Sequence, residues 1–203
     1  MTFGSFSAAY KLNDALLGTW TELLHLAPGS RLLIVSIPEG VAQQRILRYF
    51  RAHGIADDRV RIMSRVPLHD YLSLHGEIDL MLDPFPYNGV TTTLQSLWMG
   101  VPVLTLKGAR YPARVGASIL ANAGLHAFIA HSETEYIEKA CQLAAKPAHL
   151  ERLRTTMRAR MLASPLMDEP GFTRDFEALL LGVAKRKPGG SAILADDGWL
   201  KLY

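Results

Sequence analysis

The chain has 203 residues, 49% of them apolar, enough for one domain with a substantial core and too apolar for a disordered chain. Its 22 basic and 19 acidic residues leave a formal charge of +3, which suits a small anionic ligand and lacks the clustered Lys and Arg of a nucleic-acid partner. The single cysteine, Cys141, excludes an internal disulfide, no apolar run approaches the ~18 residues of a membrane span, and "MTFGSFSAAYK" lacks the features of a signal peptide, so a cytoplasmic protein is expected.

In chain order, the first predicted helix covers 14–27, with Asn13 as N-cap and Leu16, Leu17, Trp20, Leu23, Leu24 and Ala27 along one face. "RLLIVSI" (31–37) is short, apolar and β-branched, a strand buried on both sides. A helix follows at 41–53, then a strand at 59–64, a short helix at 68–75 and a strand at 78–83. Next come a helix at 91–99, a strand at 101–106, a helix at 113–123 and a short strand at 126–130. Two or three helices fill 133–187, and 188–203 reads as a tail. Strands alternating with helices at this spacing predict an α/β fold with a doubly wound, parallel, Rossmann-like sheet, whose ligands bind outside the carboxyl ends of the strands.

One stretch stands out, "LDPFPYNGVTTTLQSLWMGVPVLTL" (82–106). Asp83 ends a strand, Pro84 and Pro86 stiffen the loop that follows, and Asn88-Gly89 supplies a turn. Thr91, Thr92 and Thr93 fall at the N-cap and first turn of the next helix. Backbone N–H groups lack partners there and the dipole favours negative charge. Two readings stay open at this point: one threonine merely caps the helix, or the helix end with its hydroxyls holds a phosphate.

That stretch, with "ARVGASILANAGL" (113–125), "TFGSFSAAYK" (2–11) and "ASPLMD" (163–168), resembles the protein O-GlcNAc transferase family and its Spindly-like members. The resemblance runs from about residue 2 to about residue 181. It implies the carboxyl-terminal, donor-binding lobe of a two-lobed glycosyltransferase, occupying 1–187. The implied reaction is inverting transfer of a sugar, GlcNAc from UDP-GlcNAc, to Ser or Thr hydroxyls of an acceptor protein or peptide. The nucleotide sugar is a co-substrate, and neither a cofactor nor a metal is implied. The amino-terminal catalytic half and the helical repeats are absent, so this chain alone is expected to be inactive. Two alternatives are a noncatalytic nucleotide-sugar or protein-binding module, and a fucosyltransferase-type relative using GDP-fucose.

The resemblance also assigns roles. Lys11 matches the lysine that holds the donor diphosphate; read without it, Lys11 is a solvated lysine before a helix. Thr91 and Thr92 match the groups around the phosphates, with Thr93, Asn88 and Gly89 beside them. Val66-Pro67 begins the stretch that presents backbone to the base, and Tyr71 falls where some members set a histidine against uracil, although its ring could equally belong to the core. Gln95 replaces an acidic ribose contact, Ala8 an amide side chain, and Val90 a histidine. The seven histidines form no His-x-x-x-His pair. Asp79 and Asp83 read as the two ends of one strand. The basic run at 184–190 and the flank Arg154, Arg158 and Met161 read first as solvated helix surface. Leu150, Leu153, Phe172 and Phe176 are expected to be apolar surface that the absent half would cover.

Overall fold

A computed structural model describes residues 1–184. They divide into two compact units, Met1–Met167 and a second beginning at Asp168. The expected tail at 188–203 and the basic run from Lys185 onward lie outside the described residues.

The first unit is a six-stranded sheet in the order β3-β2-β1-β4-β5-β6, with every neighbouring pair parallel. The strands are β1 (Thr2–Ser5), β2 (Arg31–Val35), β3 (Val60–Met63), β4 (Leu80–Leu82), β5 (Val103–Leu106) and β6 (Ile129–Ala130). The helices are α1 (Asp14–Leu26), α2 (Val41–Ala52), α3 (Leu68–Ser73), α4 (Thr91–Trp98), α5 (Val115–Asn122), α6 (Glu133–Ala144) and α7 (Pro147–Leu162). The second unit contains α8 (Glu169–Ala184). Because both sheet faces are covered, the strands read as apolar runs; Leu32, Ile34, Val35, Leu80, Leu82, Val103 and Leu104 are all buried. The α1 stripe of Leu16, Leu17, Trp20, Leu23 and Leu24 is buried in the same core.

Local chemistry trims the expected ends. Strand β2 stops at Val35 because Ser36 turns to φ 74°, a left-handed conformation that extended pairing cannot use. Strand β5 starts two residues late, since Pro102 has no N–H to give to a ladder. The expected helix at 68–75 is α3 followed by a 3-10 turn at Leu74–Glu77, and most of the expected strand at 126–130 is a 3-10 turn at His126–Phe128. Asn13 caps α1 as its position predicts, accepting from the Leu16 N–H at 2.9 Å. Its amide also donates to the Phe85 carbonyl at 3.0 Å, tying α1 to the loop after β4.

Two surface expectations need correction. Leu150 and Leu153 are buried, because α7 lays this face on the sheet unit's own core. Arg154 is half-buried and bound to the carbonyls of His75 and Ile78, whereas Arg158 is exposed as expected, donating to the Trp98 carbonyl with its guanidinium over that indole ring. Met161 is buried. This flank therefore serves the unit's own packing, since long arginine stems can cover apolar surface while their heads satisfy chain ends. Phe172 and Phe176, on α8, are exposed as expected and their rings stack on each other.

Candidate functional site

The strand order reverses between β1 and β4. From β1 the chain winds outward to β2 and β3, and from β4 it winds the other way to β5 and β6. The loops at the carboxyl ends of β1 and β4 therefore diverge from adjacent strands, the place where open α/β sheets form a ligand crevice. Lys11 comes from the first loop and residues 84–89 from the second.

They meet where Lys11 Nζ donates to the Asn88 carbonyl at 2.9 Å. The same ammonium lies 4.2 Å from the centroid of the Tyr87 ring, and Tyr10 flanks that ring. Burial pulls the Lys11 ammonium below the ordinary lysine value, and nearby Asp83 works the other way. A half-buried cation with few partners is poised for an anion.

The loop is held by its own polar side chains. Asn88 is buried; its amide donates to the Pro84 carbonyl at 3.0 Å and its Oδ1 accepts from the Gly116 N–H at 3.3 Å. Gly89 has no room for a side chain, since a Cβ there would run into the Thr92 hydroxyl. The helix starts at Thr91, as expected, but the cap falls one residue earlier. Its N-cap is Val90, which offers no side-chain acceptor, so the first N–H groups of α4 go without a capping side chain.

The three threonines consequently occupy the first turn, with the N-cap position left to Val90. They part ways there: Thr91 is exposed, Thr92 is half-buried at the mouth, and Thr93 is buried with its hydroxyl donating to the Gly89 carbonyl at 3.1 Å. Gln95 is half-buried on the second turn. Ala8 lies at the start of the turn that presents Lys11, its carbonyl accepting the Lys11 N–H at 3.0 Å.

Val66 and Pro67 follow β3, further along the same sheet end; Val66 is partly buried and Pro67, exposed, caps α3. The Tyr71 ring packs edge-on against Phe6 and His75, and its hydroxyl is buried. Burial pushes that phenol up to about 12. Of the two roles open to Tyr71, the ring occupies the packing one. Among the described residues, no group of three or more His, Cys, Asp or Glu could hold a metal ion.

One member of this site escaped the sequence reading. Asp83, taken there as a strand terminator, is a buried carboxylate beneath the loop, with Lys11 near enough to act on its charge. The available signal was an acid closing a strand buried on both faces, directly before a Pro-x-Pro-x-Asn-Gly turn. Exposed apolar side chains also gather at this end of the sheet, on the loops and helix starts after β1, β2, β3, β4 and β5: Tyr10, Val41, Leu68, Tyr87, Val90 and Tyr111.

A switch-point crevice with a lysine and an open helix amino end defines a Rossmann-like lobe of the kind found in glycosyltransferases. A solved mutant O-GlcNAc transferase of Thermobaculum terrenum superimposes with a TM-score of 0.82 at 33% identity, over 88% of this chain and 35% of that one. Anabaena Alr3699/HepE, solved with UDP and glucose, shares the fold at 15% identity and a TM-score of 0.61, over 89% of this chain and 48% of that one. The model of glycosyl transferase family 41 matches residues 1–176, and the chain belongs to that family. Among curated relatives, the "Probable UDP-N-acetylglucosamine--peptide N-acetylglucosaminyltransferase SPINDLY" of Solanum lycopersicum is 37% identical over 92% of this chain and 20% of its own length. The SEC protein of Arabidopsis thaliana, which carries the same enzyme description, is 31% identical over 86% of this chain and 18% of its own length. The chain thus spans about a fifth of the length of these curated relatives. Among the described residues, no helix is long and apolar enough to cross a membrane.

Proposed function

We propose that this chain is the carboxyl-terminal, donor-binding half of a protein glycosyltransferase, and that it binds a nucleotide sugar, UDP-GlcNAc, by its diphosphate. The observation that carries the reading is the meeting of Lys11 with the loop that leads into α4 at the switch point. The phosphates sit between Lys11, Thr91 and Thr92, against the open amino end of α4, with Asn88, Gly89 and Thr93 shaping the loop and Gln95 one turn behind. The base and ribose lie toward Val66 and Pro67.

In the complete enzyme, a Ser or Thr hydroxyl oxygen of an acceptor protein bonds to the anomeric carbon as the bond from that carbon to the phosphate oxygen breaks, with inversion. The electron pair departs on the diphosphate. Lys11 and the α4 N–H groups offset that charge as it develops, so neither metal nor cofactor is called on. The base that takes the hydroxyl proton belongs to an amino-terminal half outside this sequence, with helical repeats ahead of it. The exposed apolar loops at the strand ends suit contact with such a half. A reducing, cytoplasmic setting is the one that a lone cysteine supports.

The test is a calorimetric titration of the chain with UDP, GDP, UDP-GlcNAc and uridine. Binding of UDP and UDP-GlcNAc well above uridine is expected. Preference for GDP would move the donor to a guanine nucleotide sugar such as GDP-fucose. Equal weak binding of nucleoside and diphosphate would remove the anion site and leave a noncatalytic module.

A further inference from the structure

Asp83, directly after β4, is 2% exposed. One carboxylate oxygen accepts the Gly89 N–H at 2.7 Å and the other the Thr105 hydroxyl at 2.6 Å. Its carbonyl accepts the Tyr136 hydroxyl at 3.4 Å. At the start of α5, Gly116 passes so close that a Cβ there would collide with this carboxylate and with the Thr105 hydroxyl. The titratable and charged groups that face it are Lys11, from the turn after β1, and Tyr136, from α6. Burial pushes the Tyr136 phenol up, so it stays neutral. Its hydrogen bonds to Thr105 and Gly89 are to uncharged groups.

The bond from Asp83 to Gly89 ties together the two ends of loop 84–89. Asn88 lies inside that closed loop, and its carbonyl is the acceptor for Lys11. The place of Lys11 Nζ is therefore set, through Asn88, by a buried carboxylate. We propose that Asp83 is the positioning residue of the anion site: it holds the loop closed beneath Lys11 and takes up a proton when a diphosphate binds above it. The inference rests on reading the crevice as a diphosphate site.

Two features make the proton part of the device. Burial pushes the Asp83 carboxyl up to about 7, against the pull of its bonds to Thr105 and Gly89 and of the Lys11 charge. A diphosphate brings negative charge nearby and engages Lys11, so the carboxylate loses its counter-charge and holds its proton more tightly. The loop does not open in consequence. One oxygen of the neutral carboxyl still accepts from Gly89, and the other can donate to Thr105, whose hydroxyl serves either way.

The probe is UDP-GlcNAc, whose diphosphate diester does not titrate between pH 6 and 8, with uridine as the uncharged control. Calorimetry in buffers of different ionisation enthalpy counts the protons exchanged. For coupling of one pKa unit, uptake near pH 7 is roughly 0.4 proton per bound molecule, and affinity is roughly tenfold higher at pH 5.5 than at pH 8.5. Uridine binding should be flat with pH. Asp83→Asn, which can keep both hydrogen bonds, should abolish uptake. Thr105→Val, which removes a donor to the ionised form, should move uptake to higher pH; a purely structural role would move neither. Normal binding of UDP-GlcNAc by the unaltered chain without proton exchange would overturn the inference and leave the crevice standing. Unchanged uptake in Asp83→Asn would do the same. If the folded chain binds neither probe, the reading of the crevice fails first and the inference with it. Should Asp83→Asn not fold, the unaltered chain and Thr105→Val decide the matter.

Discussion

Two cations mark opposite ends of the sheet, and they are used differently. Arg59, at the amino end beside β3, donates to the carbonyls of Leu24, Ala27 and Ser30 and to the Ser30 hydroxyl, at 2.8 to 3.1 Å. It closes the carboxyl end of α1, where positive charge meets the dipole favourably and the last carbonyls lack helical partners. Lys11, at the carboxyl end, donates to one carbonyl and rests on a half-exposed tyrosine ring. A cation bound to three carbonyls at a helix end serves the fold. A cation with one carbonyl partner beside an open helix end is free to take an anion.

The largest expected effect breaks the first half of that contrast. Arg59→Ala strips several carbonyls of a charged donor at once, and the loss should be ~2–4 kcal/mol of stability. Chemical denaturation measures it. The ratio of diphosphate to nucleoside affinity should stay unchanged in whatever fraction folds, since the opposite end of the sheet is untouched. A changed ratio would mean that the two ends are coupled.

Lys11→Ala reverses the pattern. Loss of a charge-assisted hydrogen bond to phosphate should weaken UDP or UDP-GlcNAc binding by ~1.5–3 kcal/mol, roughly 10- to 150-fold. Uridine binding and the denaturation midpoint should barely move. If nucleoside and diphosphate lose equally, Lys11 supports the fold as Arg59 does, and the contrast collapses.

Much of this layout was legible before any coordinates. Apolar runs of strand length alternating with amphipathic helices set the parallel sheet, and Pro84, Pro86 and Asn88-Gly89 marked the loop that Lys11 meets. The strand order was not legible, because nothing in an apolar run says which strand lies beside it. Without that order, Lys11 and Asn88 are two residues 77 positions apart. The inward turn of Thr93 and the burial of Asp83 escaped for a related reason. Both depend on what packs against them, and for Asp83 that is Thr105 and Gly116, which come from elements after it in the chain. Tyr71 shows a case that the sequence left even between a ligand contact and the core; its ring packs with Phe6 and His75.

A third prediction sharpens the contrast through pH. The Asp83 carboxyl titrates at about 7 in the folded chain and near its ordinary 3.8 when unfolded. Between those values the folded state holds a proton that the unfolded state has lost, so stability falls as pH rises from about 4 to about 7 and is flat beyond. Asp83→Asn lacks this dependence. The unaltered chain should therefore lose roughly 1–3 kcal/mol relative to the variant across that window. Thermal melts of both chains at pH 5 and pH 8 measure the difference. No relative change would place the carboxyl at an ordinary value and remove its proton uptake near pH 7.

The smallest effect is expected at Thr92. Its side chain sits over Gly89 at the mouth of the crevice, half-buried and on the first turn of α4. Thr92→Val keeps the shape and removes only the hydroxyl. The backbone N–H groups of α4 remain, and they supply most of the attraction at a helix amino end. One neutral hydrogen bond is worth about 0.5–1.5 kcal/mol, so diphosphate affinity should fall by roughly 2- to 12-fold, less than for Lys11→Ala. Thr93→Val is the matched control. Its hydroxyl is committed to the Gly89 carbonyl, so the change should lower stability and alter diphosphate and nucleoside binding by the same factor. If Thr93→Val selectively weakens the diphosphate and Thr92→Val does not, the phosphates lie on the inner side of the loop and the mouth of the crevice is placed wrongly.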